Sequence, residues 1–190
     1  MTRDAASFDR LYQENSDPWD YETSAYEADK YRRCLELLTR ARYGRALELG
    51  CSIGVMSESI AARCDILLGL DFAPTAVARA RERGIANARF EVGSVPEDWP
   101  AGSWDLIVVS EVLYYLEDAA LDEAIACIVQ SLAWHGDCLF AGYSGETETE
   151  ITAREAGERL IRALSAARPN GMVHSIAGPS WLASVFSSRP

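Results

Sequence analysis

Hydrophobic and polar positions follow a helical period through the first part of the chain. Between residues 24 and 41, apolar side chains recur at helical spacing, and Thr23 or Ser24 can cap the segment. The pattern predicts a helix over residues 24–41. A shorter helix is predicted within residues 8–21, where it runs into the turn-rich sequence Asn15-Ser16-Asp17-Pro18-Trp19.

After residue 44 the pattern changes to short apolar runs that alternate with amphipathic helices. Strands are predicted over residues 45–50, 66–71, 87–92, 104–110, 138–143, 172–176 and 181–186, and helices over 55–63, 74–83, 121–133 and 151–167. The run Leu106-Ile107-Val108-Val109 is typical of a central strand covered on both faces. The order predicts a doubly wound, Rossmann-like α/β fold with a seven-stranded, mostly parallel sheet. The last two strands flank Gly178-Pro179 and predict an antiparallel pair at one sheet edge.

Composition limits the classes of partner. The 190 residues fit one domain, and 29 acidic against 18 basic residues give a net charge of -11. Such a chain repels phosphate backbones and anionic lipids, so no nucleic-acid or membrane partner is expected, and a neutral or cationic small substrate fits better. The five scattered cysteines predict reduced thiols and no metal site. Residues 1–10 lack an apolar leader segment, which predicts a cytoplasmic protein.

A glycine-containing loop follows the first predicted strand of the sheet. It contains Glu48, Leu49, Gly50, Cys51, Ser52, Ile53 and Gly54. Gly50 permits a tight turn, and Gly54 permits a cofactor or a neighbouring strand to approach the helix start. Ser52 and Val55 stand where a dinucleotide fingerprint requires glycine, and the loop has no Lys or Arg. The loop therefore predicts a ligand without phosphates, with a plain strand-to-helix turn as the alternative.

Two further strand ends extend this candidate site. Asp71, followed by Phe72, ends the second strand and can accept both hydroxyls of a ribose; the alternative is a helix cap before Pro74. After the third strand, Gly93, Ser94 and Val95 are expected at an adenine edge, through backbone amides and a small hydroxyl.

Polar residues also follow the buried fourth strand. Ser110 and Glu111 come directly after it, and Tyr114 and Tyr115 supply aromatic walls and hydroxyl groups beside them. The alternatives are that Glu111 caps the next helix and that Tyr115 packs in its core. Residues 132–137 are predicted to form a turn into the fifth strand.

Taken together, these motifs resemble those of class I S-adenosylmethionine-dependent methyltransferases. Asp17-Pro18-Trp19, Tyr26-Glu27, Leu47-Glu48-x-Gly50-Cys51 and the stretch from Leu106 to Asp118 resemble, more narrowly, the nodulation protein S family. That resemblance implies N-methylation of the free amine on a deacetylated chitooligosaccharide, with S-adenosylmethionine as cofactor. The chain departs from the family at Ser52, at Trp134-His135-Gly136 and between Gly145 and Gly171, so the acceptor is the open question.

The resemblance gives the candidate residues their roles. Glu111 is expected to take or hold the amine proton, with Tyr114 or Tyr115 as a relay. Trp19 and Tyr26 are expected to close over the cofactor, and Lys30 to pair with its carboxylate. The alternative for each of the three is a packing or surface position. The other cofactor contacts are expected from Glu48, Gly50, Cys51, Ser52, Asp71, Phe72, Gly93, Ser94, Val95, Ser110, Glu111 and Tyr115. The chain is then a monomer of one domain, 1–190, with a helical cap at 1–43 and a Rossmann-like core at 44–190.

Three alternatives remain at this point. The acceptor can be another small-molecule amine or hydroxyl. The chain can also be a non-catalytic module that binds S-adenosylmethionine. A nicotinamide-dependent oxidoreductase can use the same sheet, although the glycine spacing of the loop argues against it.

Overall fold

The computed structural model describes residues 5–188, with two helices before residue 43 and a mixture of strands and helices after it. The helices are α1 (Ala5–Glu14), α2 (Ala25–Glu36), α3 (Val55–Ala61), α4 (Pro74–Glu82), α5 (Asp118–Ser131) and α6 (Ala153–Ala167), with a short 3-10 helix at Leu113–Tyr115. The strands are β1 (Tyr43–Leu49), β2 (Cys64–Asp71), β3 (Ala88–Val92), β4 (Trp104–Ser110), β5 (Leu132–Tyr143), β6 (Met172–Ala177) and β7 (Trp181–Ser187). The prediction made on residues 1–10 lies partly outside the described residues.

The seven strands form one sheet in the order β3-β2-β1-β4-β5-β7-β6. Strands β1 to β5 are parallel, and β7 runs antiparallel to both β5 and β6. The predicted fold class is confirmed, including the antiparallel pair at one edge. Within that pair the reversed strand β7 lies one position inside the edge, and β6 is the edge strand. The strand order reverses between β1 and β4, and this is where open α/β sheets bind ligands.

Both faces of the sheet are covered by helices, as the apolar run in β4 predicts. Ile107 and Val109 pack in a cluster with α5 and α6, whereas Leu106 and Val108 pack with α2 and α3. All four side chains are fully buried. Because successive strand residues point to opposite faces, a strand buried on both sides has no polar positions, which explains the continuous apolar run.

Several predicted element bounds differ from the structure, most by one to three residues, and two of the differences have a tertiary cause. The second helix ends at Glu36 and not at residue 41, because the backbone amide and hydroxyl of Thr39 donate to the buried Asp137, at 3.0 and 2.6 Å, and turn the chain toward β1. The turn predicted at 132–137 lies inside β5. There the register shifts, so that Trp104 pairs with Leu132 but Leu106 pairs with Asp137. The extra residues form an irregularity in the strand.

Neither a membrane-spanning helix nor a metal-binding cluster is found among residues 5–188. None of the helices in that range combines the length and the hydropathy that a bilayer crossing requires. Over the same range, His, Cys, Asp and Glu side chains form no group of three or more with an arrangement that could hold a metal ion.

Candidate functional site

A cavity of about 1290 Å³ opens at the carboxyl ends of β1, β2 and β4, at the point where the strand order reverses. Every residue predicted for the site lines it: Trp19, Tyr26, Lys30, Glu48, Gly50, Cys51, Ser52, Asp71, Phe72, Gly93, Ser94, Val95, Ser110, Glu111, Tyr114 and Tyr115. The fold therefore brings the predicted residues together. The role of each one toward a ligand stays a prediction.

The glycine loop turns sharply at the end of β1. The amides of Gly50 and Cys51 both donate to the carbonyl of Leu70, at 2.8 and 2.9 Å, and Gly50 has a φ of +74°. A Cβ on Gly50 would lie 2.4 Å from the Cγ2 atom of Val112, so only glycine fits. Gly54 also has a positive φ, but its close neighbours are Ala80 and Arg83. The prediction that a cofactor or a strand approaches Gly54 is therefore wrong. Helix α4 and the residue that follows it pack there instead.

Asp71 lies at the floor of the cavity, where its carboxylate holds two backbone segments. One oxygen accepts from the amide of Ser52 and the other from the amide of Ala73, both at 2.9 Å. Burial raises the pKa of Asp71 to about 6, although these two hydrogen bonds act in the opposite direction. Each carboxylate oxygen still has a free lone-pair direction. The N-cap residue of α4 is Ala73, and the helix has no side-chain cap, so the helix-cap alternative for Asp71 is wrong. The role of Asp71 as acceptor for a diol stays a prediction.

Glu48, one residue before the end of β1, is a second buried carboxyl group on the cavity wall. Its Oε2 atom accepts from the hydroxyl of Ser57 at 2.5 Å. Burial raises the pKa of Glu48 to about 8, so near neutral pH the group is largely protonated and can donate a hydrogen bond.

The segment after β3 offers fewer donors than the sequence predicts. The amide of Gly93 donates to the carbonyl of Asp71 at 3.0 Å, and the amide of Ser94 donates to Asp98 at 3.0 Å. Both amides are thus used within the protein. Gly93, Ser94 and Val95 all line the cavity.

Glu111 is held at the end of β4 in a left-handed backbone conformation, with a φ of +59°. Its amide donates to the carbonyl of Ala141 at 3.0 Å. One carboxylate oxygen contacts the ammonium group of Lys30 at 3.1 Å, and the other accepts from the Tyr114 hydroxyl and from the Tyr143 amide, the latter at 2.8 Å. Glu111 makes no side-chain cap for the following 3-10 helix, so the capping alternative is wrong.

Lys30 is buried beside Glu111, and its ammonium group also contacts Glu27 at 2.6 Å. Burial lowers the pKa of Lys30, but Glu111 and Glu27 more than offset that effect, so the pKa is raised overall. The predicted pairing of Lys30 with a cofactor carboxylate remains untested. The partners in the structure are two carboxylates of the protein itself.

Aromatic side chains from the N-terminal segment form a wall of the cavity that the sequence analysis identified only in part. Phe8 lies 5.3 Å from Phe72, 5.4 Å from Tyr115 and 6.0 Å from Trp19, measured between ring centroids. Tyr12 and Ser52 share a hydrogen bond of 2.6 Å that ties α1 to the glycine loop. Phe8 and Tyr12, four residues apart on one helix face, were the signal that could have predicted this contact.

An acidic rim surrounds the outer part of the cavity. We define it as the exposed residues Glu117, Asp118, Glu146, Glu148, Glu150 and Glu155. Asp118 pairs with Arg159 at 2.6 Å. For the other five, the structure over residues 5–188 shows no basic partner within 4.0 Å. The only basic residue in the described cavity lining is Lys30, which is already paired. The field at the cavity mouth therefore favours cations.

The strand order and the position of this site define the class I methyltransferase fold. A family model described as Nodulation protein S (NodS) matches residues 6–158, more than half of the chain. The chain belongs to the nodulation protein S family, which confirms the resemblance inferred from the sequence.

Individual relatives support the same assignment. Nodulation protein S of Sinorhizobium fredii is 38% identical over 128 residues, which cover 65% of this chain and 59% of that protein. Nodulation protein S of Bradyrhizobium diazoefficiens is 34% identical over 155 residues, covering 78% of this chain and 72% of that protein. This chain thus spans less than two thirds of the length of the Sinorhizobium relative.

A solved structure resembles the whole described fold. It is the N-methyltransferase NodS from Bradyrhizobium japonicum WM9 in complex with S-adenosyl-L-homocysteine. It is 26% identical, the match covers 96% of this chain and 97% of that one, and the TM-score is 0.78. The bound product in that protein agrees with the cofactor predicted for this one.

Proposed function

We propose that this protein is an S-adenosylmethionine-dependent N-methyltransferase that acts on the free amine of a deacetylated chitooligosaccharide or a related amino sugar. The observation that supports the proposal most strongly is that Asp71 and Glu111 line one cavity at the strand-order reversal. A site for the nucleoside and a site for the amine thus share one space. The family and the product-bound relative point to the same chemistry.

The residues present fit S-adenosylmethionine. Asp71 retains lone pairs for the ribose hydroxyls, and the glycine loop that turns at Gly50 lines the cavity. The glycine loop contains no Lys or Arg, as suits a ligand without phosphates. When bound, S-adenosylmethionine supplies an electrophilic methyl group. Asp71 would hold its sugar, while the aromatic wall that includes Phe8 and Trp19 would keep water out.

The amine acceptor fits the charge of the cavity mouth. The acidic rim attracts a protonated amino sugar, and Glu111 faces the same cavity. Only an unprotonated amine has the lone pair that accepts a methyl group, so a proton must leave to water or to Glu111 before transfer. Glu111 can then accept a hydrogen bond from the amine and orient it. Holding the reactants in line contributes on the order of 7–11 kcal/mol in ideal intramolecular cases.

Residues 1–43 are proposed to act as a helical cap over a core formed by residues 44–190. Four contacts support this division. Tyr12 bonds to Ser52, Asp9 accepts from the amide of Thr75, Arg79 donates to the carbonyls of Asn15 and Ser16, and Arg83 pairs with Glu22.

We also propose a cytoplasmic monomer without nucleic-acid partners. The five cysteines are free, as is usual in a reducing compartment, and a net charge of -11 works against self-association. Light scattering on the purified chain tests the monomer, and a dimer at micromolar concentration would contradict it.

The function is tested by measuring release of S-adenosylhomocysteine with three acceptors of the same length. The acceptors are a chitotetraose with one free amine at the non-reducing end, its fully acetylated form and the fully deacetylated tetramer. We expect turnover with the first and with the fully deacetylated tetramer, because both carry a free amine at the non-reducing end. The acetylated form should give none, because the amide nitrogen has no available lone pair. Product analysis by mass spectrometry must show a gain of one methyl group on nitrogen.

Other outcomes identify the alternatives. Turnover only with small amines or with hydroxyl compounds would replace the oligosaccharide acceptor. Binding of S-adenosylhomocysteine without turnover on any acceptor would favour a non-catalytic module. If calorimetry detects no binding of the cofactor or its product to folded protein, the methyltransferase proposal is wrong.

A further inference from the structure

Lys30 is a buried lysine on helix α2. Its side chain is only 5% exposed, on the face of α2 that lines the cavity. The ammonium group lies between two carboxylates, 2.6 Å from Glu27 and 3.1 Å from Glu111. A buried charge of this kind is costly unless it is fully paired, and the two acids provide that pairing.

Three hydrogen-bond donors of the protein contact the carboxylate of Glu111. An ionised carboxylate offers about four acceptor positions. Three are occupied, by the ammonium group of Lys30, the hydroxyl of Tyr114 and the backbone amide of Tyr143. One position remains, and Glu111 lines the cavity. A carboxylate with three fixed donors has one orientation, and it can receive a single additional N–H group.

We propose that Lys30 is a positioning residue for Glu111, which it holds in the one orientation in which Glu111 accepts a hydrogen bond from the acceptor amine. The inference rests on the proposed function. It assigns Lys30 to the acceptor side of the cavity and not to the carboxylate of the cofactor. It also makes Glu111 an orienting group for the amine, so that the amine loses its proton to water.

The experiment compares Lys30→Met with Lys30→Arg in the chitotetraose assay and in calorimetry with S-adenosylhomocysteine. Lys30→Met is expected to lower kcat roughly 100-fold, as a displacement of about 1 Å can do. The Kd for S-adenosylhomocysteine should stay within about twofold of the wild-type value, since both carboxylate contacts of Lys30 belong to the protein. Lys30→Arg should recover part of the lost kcat because it retains the charge.

The division of the effect between kcat and Kd, together with the partial recovery in Lys30→Arg, separates positioning from a general structural role. Arg32→Met is the matched control, because Arg32 lies on the same helix in exposed ion pairs with Asp29 and Glu36. It should change neither kcat nor the Kd for S-adenosylhomocysteine.

The opposite results would overturn the inference. A Kd for S-adenosylhomocysteine weakened tenfold or more in folded Lys30→Met, with kcat at saturation intact, would make Lys30 a cofactor ligand. An unchanged kcat together with an unchanged Kd would make it a packing residue. If Lys30→Met does not fold, K30M/E27Q, which leaves one carboxylate fewer unpaired, is used for the same measurements. If the wild-type chain turns over no amine, the proposed function fails, and the Kd in the variant alone decides whether Lys30 binds the cofactor.

Discussion

The carboxylate of Asp71 connects the backbone of the site to the ligand it is proposed to hold. It accepts the amides of Ser52 and Ala73, which fixes the glycine loop against the start of α4. Because the group is buried, its pKa is raised to about 6, close to the pH of many assays. A ribose diol donates two hydrogen bonds to a carboxylate but fewer to its protonated form, so ligand binding favours ionised Asp71.

Asp71 gives the first residue-scale prediction. The affinity for S-adenosylhomocysteine should fall as the pH drops through about 6, by up to about tenfold per pH unit below that value. The pKa of Glu48 is about 8, so Glu48 stays largely protonated over that interval and does not cause the change. Calorimetry between pH 5 and 7.5 measures the effect. An affinity that does not vary with pH would contradict the assignment of Asp71 to the ribose.

Substitution tests the same residue independently. Asp71→Asn should weaken binding about 100-fold or more and abolish the pH dependence, since a hydrogen bond to a charged group contributes about 1.5–3 kcal/mol. Asp65→Asn, at the exposed beginning of the same strand, is the matched control and should bind normally. A melting curve for each variant shows whether the fold is retained. Equal loss of affinity in both variants would point to general destabilisation.

At the residue scale, the sequence predicted the members of the site better than their contacts. Gly50, Asp71 and Glu111 could be predicted because each follows a recognisable strand, and strand ends meet at one sheet edge. The pairing of Lys30 with Glu111 joins residues 81 positions apart, and no local pattern records it. Tyr143 contributes only its backbone amide to Glu111, so its side-chain chemistry gave no signal.

At the scale of helices and strands, the interiors were predictable and several ends were not. The apolar run predicted β4 correctly, and Pro74, in the first turn of α4, predicted where that helix begins, because burial and backbone chemistry act locally there. Helix α2 ends early because Thr39 donates hydrogen bonds to Asp137, which is 98 residues away in the sequence. The irregular start of β5 likewise depends on its pairing with β4. Both deviations come from tertiary contacts that override local propensity.

Helix α1 gives a prediction at the scale of elements. The bond between Tyr12 and Ser52 links α1 to the loop whose Ser52 amide also donates to Asp71. Tyr12→Phe should therefore weaken the affinity for S-adenosylhomocysteine about 2- to 10-fold, the effect of losing about 0.5–1.5 kcal/mol. It should also increase hydrogen exchange in α1 when the ligand is bound. Both effects follow only if α1 is a cap over the cofactor.

A second tyrosine provides the control for the cap. Tyr43 is fully buried at the start of β1, and its hydroxyl donates to Asp137 at 2.5 Å. Tyr43→Phe also removes a hydrogen bond of a tyrosine hydroxyl, here to a buried carboxylate outside the cavity lining. It should reduce the melting temperature without changing the affinity. If Tyr12→Phe behaves like Tyr43→Phe, the contact of α1 with the loop stabilises the fold only, and the cap proposal is wrong.

At the scale of the whole molecule, part of the net charge of -11 lies around the mouth of the cavity. The acidic rim places five carboxylates without basic partners, among the described residues, around the cavity mouth, where they raise the local concentration of cations. The triple variant E146Q/E148Q/E150Q should raise the KM of the fully deacetylated tetramer by about tenfold at low salt and leave kcat nearly unchanged. The difference from the wild type should shrink near 1 M salt, where charges are screened over about 3 Å.

The triple variant D65N/E82Q/E123Q makes the same change in net charge at exposed positions outside the cavity lining, and its KM should stay at the wild-type value. Equal shifts in the two triple variants would mean that total charge, and not the rim, attracts the acceptor. No shift in either would mean that the acceptor enters without a positive charge.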